Sequence, residues 1–355
     1  MRCAAFRSIL NRRKAWRAAV ETQFGANSHA NGTPLAYFDS GLMFETQIET
    51  NVLKIPIEKE KTMSSSKIAI ISPVRNEEKL LPKTIASMTA QTVHPDCWVI
   101  VDDGSSDSTF DIAQTAAAQY AWIKVVRNTD RGKRVLGAGV IQAFKVGCKA
   151  LDFEPDFIGK LDGDMSFGPH YIETLLALFA AEPRLGAASG KVFRPEGASS
   201  VEEFMIDEMV AGQFKFYRQT CFSEIGGFVE AVMWDGIDFH RARQMGWTTR
   251  SIPHNELRLM HHRLMGSSDQ NVLRGRLRWG KGQWFMGSSL SYILASSIFR
   301  MFEKPLGIGG ACIFWGYLQG MLRREPRFDL PGFREELQRW QRNRLLNLLR
   351  RGQMR

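Results

Sequence analysis

From Lys67 onward, short apolar runs alternate with segments of helical period, and this rhythm restricts the chain to few architectures. KIAIISP, CWVIVDDGS, WIKVVRN and DFIGKLDGD are short enough to be buried strands. Between them, NEEKLLPKTIASMTAQ places Leu80, Leu81, Ile85 and Met88 at helical spacing. DSTFDIAQTAAAQYA reads as a helix capped by Ser106, and GAGVIQAFKVGCKAL as a third helix. Pro169 opens a fourth, PHYIETLLALFAAE. The alternation predicts an α/β domain with a mainly parallel sheet covered by helices on both faces. Ligands of such sheets bind beyond the carboxyl ends of the strands, where PVRNEE, DDGSSD and DGD fall. After residue 186 the pattern loosens. LGAASGKVFR predicts one strand, Val201, Phe204, Met205 and Met209 a helix, and GQFKFYRQTCFSEIGGF a strand and turn.

Composition narrows the function classes. With 44% hydrophobic and 24% charged residues, the chain of 355 residues is globular rather than mostly disordered. Its five cysteines form no CxxC pair, which argues against a zinc ribbon or disulfide framework and fits a reducing compartment. The net charge of +10 sits at the ends: six cations and no acid in residues 1–20, ten arginines against four acids in residues 323–355. The body between is near neutral, so no nucleic-acid partner is expected, whereas basic ends suit an anionic membrane surface.

Three segments are predicted. Residues 1–62 read as a poorly structured extension: either a mis-assigned start, with the true one near Met63 just before order begins, or a genuine flexible basic arm. Residues 67–280 form the α/β domain. Residues 281–355 supply apolar and amphipathic helices: WFMGSSLSYILASSIF and LGIGGACIFWGYLQGML are each shorter than the ~20 residues a spanning helix needs. FREELQRWQRNRLLNLLRR gathers Phe333, Leu337, Trp340, Leu345, Leu348 and Leu349 on one face.

The polar signatures each carry two readings. Asp162 and Asp164 in KLDGDMSF either make a polar turn or converge on one hard divalent cation that neutralises a diphosphate. Asp102 and Asp103 end a buried strand; they either meet a nucleobase or ribose, or belong to the turn that caps the next helix. Lys133, with Arg131 and Arg134 around Gly132, is either a phosphate-neighbouring loop or solvated surface. His261 or His262 is either a further metal ligand or an ordinary hydrogen-bonding histidine. No nucleophile elbow, Walker loop, HExxH or complete dinucleotide fingerprint is present.

Taken in order, PVRNEE, VDDGSSD, LDGD and IGGF…WDGID resemble the family 2 glycosyltransferases, over roughly residues 67–280. The resemblance implies a GT-A (Rossmann-like) fold whose first half binds a nucleotide-diphospho-sugar, usually with uridine, and whose second half receives the acceptor. It implies that Pro73, Arg75, Glu77, Asp102 and Asp103 line the nucleotide pocket, with Lys133 beside the phosphates. It places Asp162 near the ribose or metal and Asp164 on the metal, Mg²⁺ or Mn²⁺, with His261 or His262 completing the shell. The family's Glu-Asp pair before a Gly-aromatic pair maps Asp235 to the catalytic base, with Trp234 in place of Glu and Asp238 as the alternative. GRLRW supplies Arg278 and Trp279 of the QxxRW feature, with Gly275 where Gln belongs, which favours single addition over polymerisation. Arg278 would reach the diphosphate and Trp279 would wall the acceptor site.

The function so implied is inverting, metal-dependent transfer of a sugar from a nucleotide-diphospho-sugar to a lipid-linked or glycan acceptor. The tail resembles those of membrane-associated bacterial members, which implies peripheral or monotopic attachment to the cytoplasmic face of the cell membrane. Two other classes share parts of this pattern. A sugar-nucleotide-forming nucleotidyltransferase would carry a glycine-rich basic loop where SPVRNEE stands, and a non-catalytic sugar-nucleotide-binding protein would bind donor without turnover.

Overall fold

The apolar runs are strands because they are buried on both sides. Ile68–Val74 (β1), Cys97–Asp102 (β2), Ile123–Arg127 (β3) and Phe157–Leu161 (β4) alternate with helices Leu81–Thr89 (α1), Thr109–Gln119 (α2) and Ala138–Lys149 (α3). Along β1 and β2, Ile70, Trp98 and Ile100 enter one core cluster while Ile71, Val99 and Val101 enter another. Strands covered on both faces have no solvent side, hence their unbroken apolar sequence. The computed structural model describes residues 66–353 except 131, 133–136, 198, 204, 264–271 and 303–304. The expectations for residues 1–62, for a start at Met63 and for Lys133 fall outside the described residues.

Beyond β4 come Met165–Phe167 (β5), Tyr171–Ala181 (α4), Leu185–Gly190 (β6), Val192–Glu196 (β7), Ser199–Glu202 (β8) and Phe214–Arg218 (β9). Gln219–Glu224 (α5), Trp234–Gln244 (α6), Thr248–Ile252 (β10) and Leu259–His261 (β11) follow. The main sheet has seven strands in the order β10-β6-β9-β4-β1-β2-β3. Only β9 runs against its neighbours, antiparallel to β4 and β6. Helices α1, α2 and α4 pack on one face and α3, α5 and α6 on the other, so the sheet is covered on both sides. A second sheet of four strands, β5-β11-β7-β8, stands at the carboxyl end of the first.

Several local expectations change. LGAASGKVFR divides at Gly190 and Lys191 into β6 in the main sheet and β7 in the small one. The buried Lys191 ammonium is held there by Asp207 and by Ser251 Oγ at 3.0 Å. Where a helix is expected from Val201, Val201 and Glu202 instead end β8, which pairs with β7, and residues 205–209 are irregular. Apolar spacing over so few residues fits either element, and the neighbouring strand decided it. Helix α2 begins at Thr109 with Ser108, not Ser106, at its N-cap, and the Asp107 carboxylate accepts from the Thr109 N–H at 3.0 Å. Helix α4 begins at Tyr171, two residues after Pro169.

The C-terminal segment is helical: Val272–Met286 (α7), Leu290–Arg300 (α8), Ile308–Leu322 (α9) and Phe333–Gln353 (α10). Residue 280 lies inside α7, so the boundary expected there coincides with no break in structure. Helices α7 and α9 touch backbone to backbone. A Cβ on Gly280 would lie 2.0 Å from the Ile313 carbonyl oxygen, and one on Gly316 would lie 2.1 Å from that of Leu277. The apolar face of α10 is partly consumed by the core, since Phe333 and Leu337 are fully buried with Ile237 and Met286. Among the described residues, no helix is long and apolar enough to cross a membrane.

Gly280→Ala should overpack the α7–α9 contact and lower stability by about 1–3 kcal/mol in urea unfolding. Unchanged stability would show that the two backbones are not in contact.

Candidate active site

Three loops at the carboxyl edge of the main sheet are fastened to one another before any ligand is considered. Arg75 donates to the Asp103 carbonyl at 2.5 Å and to Asp130 at 2.7 Å. Asn76, in the left-handed region at φ 55°, receives the Ser106 N–H on its side chain at 2.9 Å and donates its own N–H to Ser105 Oγ at 3.0 Å. Gly104 has φ 75°, and a Cβ there would lie 2.6 Å from the Asp130 Cα, so only glycine lets the loop after β3 cross. Asn128 donates to the Asp103 carboxylate at 3.1 Å, which orients it beside Arg75.

Asp102 does not line this pocket. It is fully buried, 3.3 Å from Arg127 Nε, and accepts from the Ser105 N–H at 3.2 Å. Of the adjacent pair, Asp103 is the partly exposed member, because successive residues leaving a strand point in opposite directions. Pro73 is half-buried on β1 opposite Val101. Glu77 is buried and paired with Arg263, a residue 186 positions away that sequence reasoning did not find.

The acids after β4 occupy different environments. Asp162 is partly exposed and bound by Lys160, whose buried ammonium also donates to the Gly212 carbonyl at 2.8 Å. Burial pushes the Asp162 carboxyl up, with Lys160 opposing. Asp164 is buried, and its Oδ1 has no hydrogen-bond partner. The antiparallel pairing of β5 with β11 sets His261 opposite Met165, so His261 Nε2 lies 3.5 Å from Asp164 Oδ2. The same pairing sends His262 the other way, with Nε2 2.8 Å from Ser166 Oγ. Of the two histidines, only His261 therefore faces Asp164. Arg263 Nε is 3.7 Å from Asp164 Oδ2. Burial works to raise the Asp164 pKa as well, but His261 and Arg263 outweigh it and hold the carboxyl below its usual range.

Behind His261 stands Glu203, also absent from the sequence reading, with Oε1 3.5 Å from Nδ1. Burial disfavours the imidazolium, yet Asp164 and Glu203 on its two sides raise its pKa from 6.5 to about 9.

Met233 takes φ 69°, an uncommon conformation for a long side chain, immediately before α6. The strained turn leaves Asp235 exposed in the first turn of the helix, where the helix dipole favours a carboxylate. A Cβ on Gly212 would lie 3.6 Å from Asp235 Oδ2, so Asp235 sits beside the backbone that also holds Lys160. Trp234 spends its ring on two buried cations, the ammonium groups of Lys160 and Lys215, each 5.3 Å from its centroid. Asp238, the alternative candidate, is 1% exposed and engaged by Lys215 and by the Tyr217 hydroxyl at 2.6 Å, whereas Asp235 is exposed. Arg278 and Trp279 lie on α7, where the Trp279 ring is 5.2 Å from the Arg300 guanidinium of α8.

Among the described residues, no three His, Cys, Asp or Glu side chains form a complete metal shell. Asp164 and His261 nevertheless fit a divalent cation of the kind that takes one or two protein ligands and completes its shell with phosphate and water. The partnerless Asp164 Oδ1 is an acceptor of that type.

The folded pKa of His261 lies above its ordinary 6.5, so its imidazolium stabilises the metal-free protein fully below pH 6.5 and no longer once the pH has climbed through about 9. The thermal midpoint should therefore fall across that window, and His261→Gln should remove that component. Parallel profiles for the two proteins would exclude a charged His261.

Residues 69–229 match the family model described as Glycosyl transferase family 2. Validoxylamine A glucosyltransferase of Streptomyces hygroscopicus subsp. limoneus is 32% identical over 152 residues, 40% of this chain and 32% of that protein. Undecaprenyl-phosphate 4-deoxy-4-formamido-L-arabinose transferase of Pseudomonas savastanoi pv. phaseolicola is 32% identical over 116 residues, 31% of this chain and 32% of its own. The matched region thus spans about a third of these curated relatives. Among solved structures, a mannosyltransferase from Pyrobaculum calidifontis in complex with GDP-Man and Mn²⁺ is 14% identical with a TM-score of 0.46, covering 75% of this chain and 77% of that one. S. aureus TarS is 15% identical with a TM-score of 0.45, covering 73% and 72%. Asp235 and His261 lie beyond the family match, whereas the loops after β1, β2 and β4 lie within it. Over residues 69–229 the chain carries a domain of glycosyl transferase family 2.

Proposed function

We propose that this protein is an inverting, metal-dependent glycosyltransferase that moves a sugar from a nucleotide-diphospho-sugar, with UDP as the nucleotide, to a lipid-linked or glycan hydroxyl. The observation that carries the reading is the buried Asp164, with Oδ1 partnerless and His261 Nε2 3.5 Å from Oδ2, at the carboxyl edge of the sheet. Asp164 and His261 would hold Mg²⁺ or Mn²⁺, which when bound neutralises the charge gathering on a departing diphosphate. Arg75 and Asp103 shape the nucleotide wall, and Asp162, tied to Lys160, lies near the ribose or the metal. Asp235 takes the proton from the acceptor hydroxyl as it attacks the anomeric carbon. One base suffices because inversion needs a single in-line displacement with no covalent intermediate on the protein.

The lipid-linked acceptor and the cytoplasmic membrane face belong to the same proposal. Leu290, Leu294 and Ile298 follow one another at one face of α8 and are each nearly half exposed, with Phe299 and Phe302 close by in sequence. An apolar face on a short helix, followed by the arginine-rich segment after residue 322, suits attachment in the plane of an anionic bilayer. The Pseudomonas relative's name, which includes undecaprenyl phosphate, supports an acceptor of this class.

Calorimetry with UDP and a panel of UDP-sugars, with and without Mn²⁺, tests the donor half. Asp164→Asn should abolish metal-dependent binding. Asp235→Asn should retain it while transfer falls about 10²–10⁴-fold. Absence of binding by any nucleotide-sugar to the folded parent protein would overturn the reading. Sedimentation with vesicles tests attachment: the protein should pellet with phosphatidylglycerol vesicles more than with phosphatidylcholine, and Leu294→Glu with Ile298→Glu should release it.

A further inference from the structure

The loop leaving β8 is fixed by a backbone hydrogen bond, with the Glu203 N–H donating to the Val192 carbonyl of β7 at 2.8 Å. That anchorage turns the Glu203 side chain inward, where it is 7% exposed and neither carboxylate oxygen has a hydrogen-bond partner. A buried carboxylate without partners is costly, so its position calls for a physical reason. The nearest cationic or donor group that the structure pairs with it is His261, whose Nδ1 is 3.5 Å from Glu203 Oε1 and is itself without a hydrogen bond. The opposite ring nitrogen, Nε2, faces Asp164 Oδ2 at 3.5 Å. Two carboxylates therefore flank one imidazole, and only one of them belongs to the DGD segment.

The two flanking acids have different consequences for a ligand histidine. To offer Nε2 to a cation, a neutral imidazole must keep its proton on Nδ1. A carboxylate at Nδ1 accepts that proton, fixes the ring orientation and makes Nε2 more basic. Asp164 stands on the side where the cation would lie, and Glu203 stands on the far side. Their roles are not exchangeable.

We propose that Glu203 is a positioning residue: it accepts the His261 Nδ1–H and thereby aims Nε2 beside Asp164 as the second protein ligand of the divalent cation. This rests on the metal-dependent reading above. Glu203 touches neither substrate nor cation, and it acts through His261 alone.

The test is Mn²⁺ affinity in the presence of UDP, measured by calorimetry on the full chain, with melting temperature as a separate readout. Glu203→Leu should weaken Mn²⁺ binding about 10–100-fold, and Glu203→Gln, which keeps an oxygen acceptor without the charge, should fall between it and the parent. Parent-like Mn²⁺ affinity in Glu203→Leu would overturn the inference while leaving the metal-dependent reading intact. No Mn²⁺ binding by the parent protein would overturn both. Independently of any variant's folding, long-range ¹H–¹⁵N spectra of histidine-labelled parent protein with Mg²⁺ and UDP should show His261 protonated at Nδ1. A proton at Nε2 would overturn the assignment.

Discussion

Three lysines lie buried under the carboxyl edge of the sheets, and the acceptors they must find position nearly everything around them. Lys160, Lys191 and Lys215 are between 0 and 5% exposed. An ammonium group there is tolerable only if paired and hydrogen-bonded. Lys160 draws Asp162 and the Gly212 carbonyl to itself, Lys215 takes Asp238 and the Asp235 carbonyl, and Lys191 binds Asp207 and Ser251. The first two also share the face of Trp234. Asp162 and Asp235 are thus tied to one frame of buried charge.

That frame separates acids that look equivalent in sequence. Asp235 and Asp238 lie on the same short helix, yet the second is spent on Lys215 and Tyr217 while the first stays at the surface. Asp102 and Asp103 divide in the same way, one serving Arg127 and the turn, the other left at the edge of the pocket. In each pair one member is fully buried among its partners while the other keeps some solvent exposure.

Much of the main sheet was legible because its signals are local. KIAIISP, CWVIVDDGS and DFIGKLDGD each fold as a strand ending near its acids, since an apolar run closed by turn residues has few alternatives. The small sheet was not legible. Its strands are three to five residues long, and β8 was mistaken for part of a helix because its partner β7 is needed to define it. Glu203 and Arg263 escaped for the same reason, as neither stands in a recognisable spacing. On the apolar face of α10, Phe333 and Leu337 pack into the fold, and apolar spacing alone does not distinguish lipid from protein as the covering medium.

The sequence by itself determined the α/β alternation, the positions of the acidic turns and the candidacy of Asp103, Asp162 and Asp164, because strand length, helical period and turn chemistry act within a few neighbouring residues; Asp235 became a candidate only through the family resemblance. Only the tertiary structure decided that His261 and not His262 meets Asp164, that Asp238 is structural, and that Glu203 stands behind the imidazole. Strand pairing brings together residues 96 and 186 positions apart, as in Ser166 with His262 and Glu77 with Arg263. Such pairings depend on register across the whole fold, and a one-residue shift in β11 would exchange the two histidines.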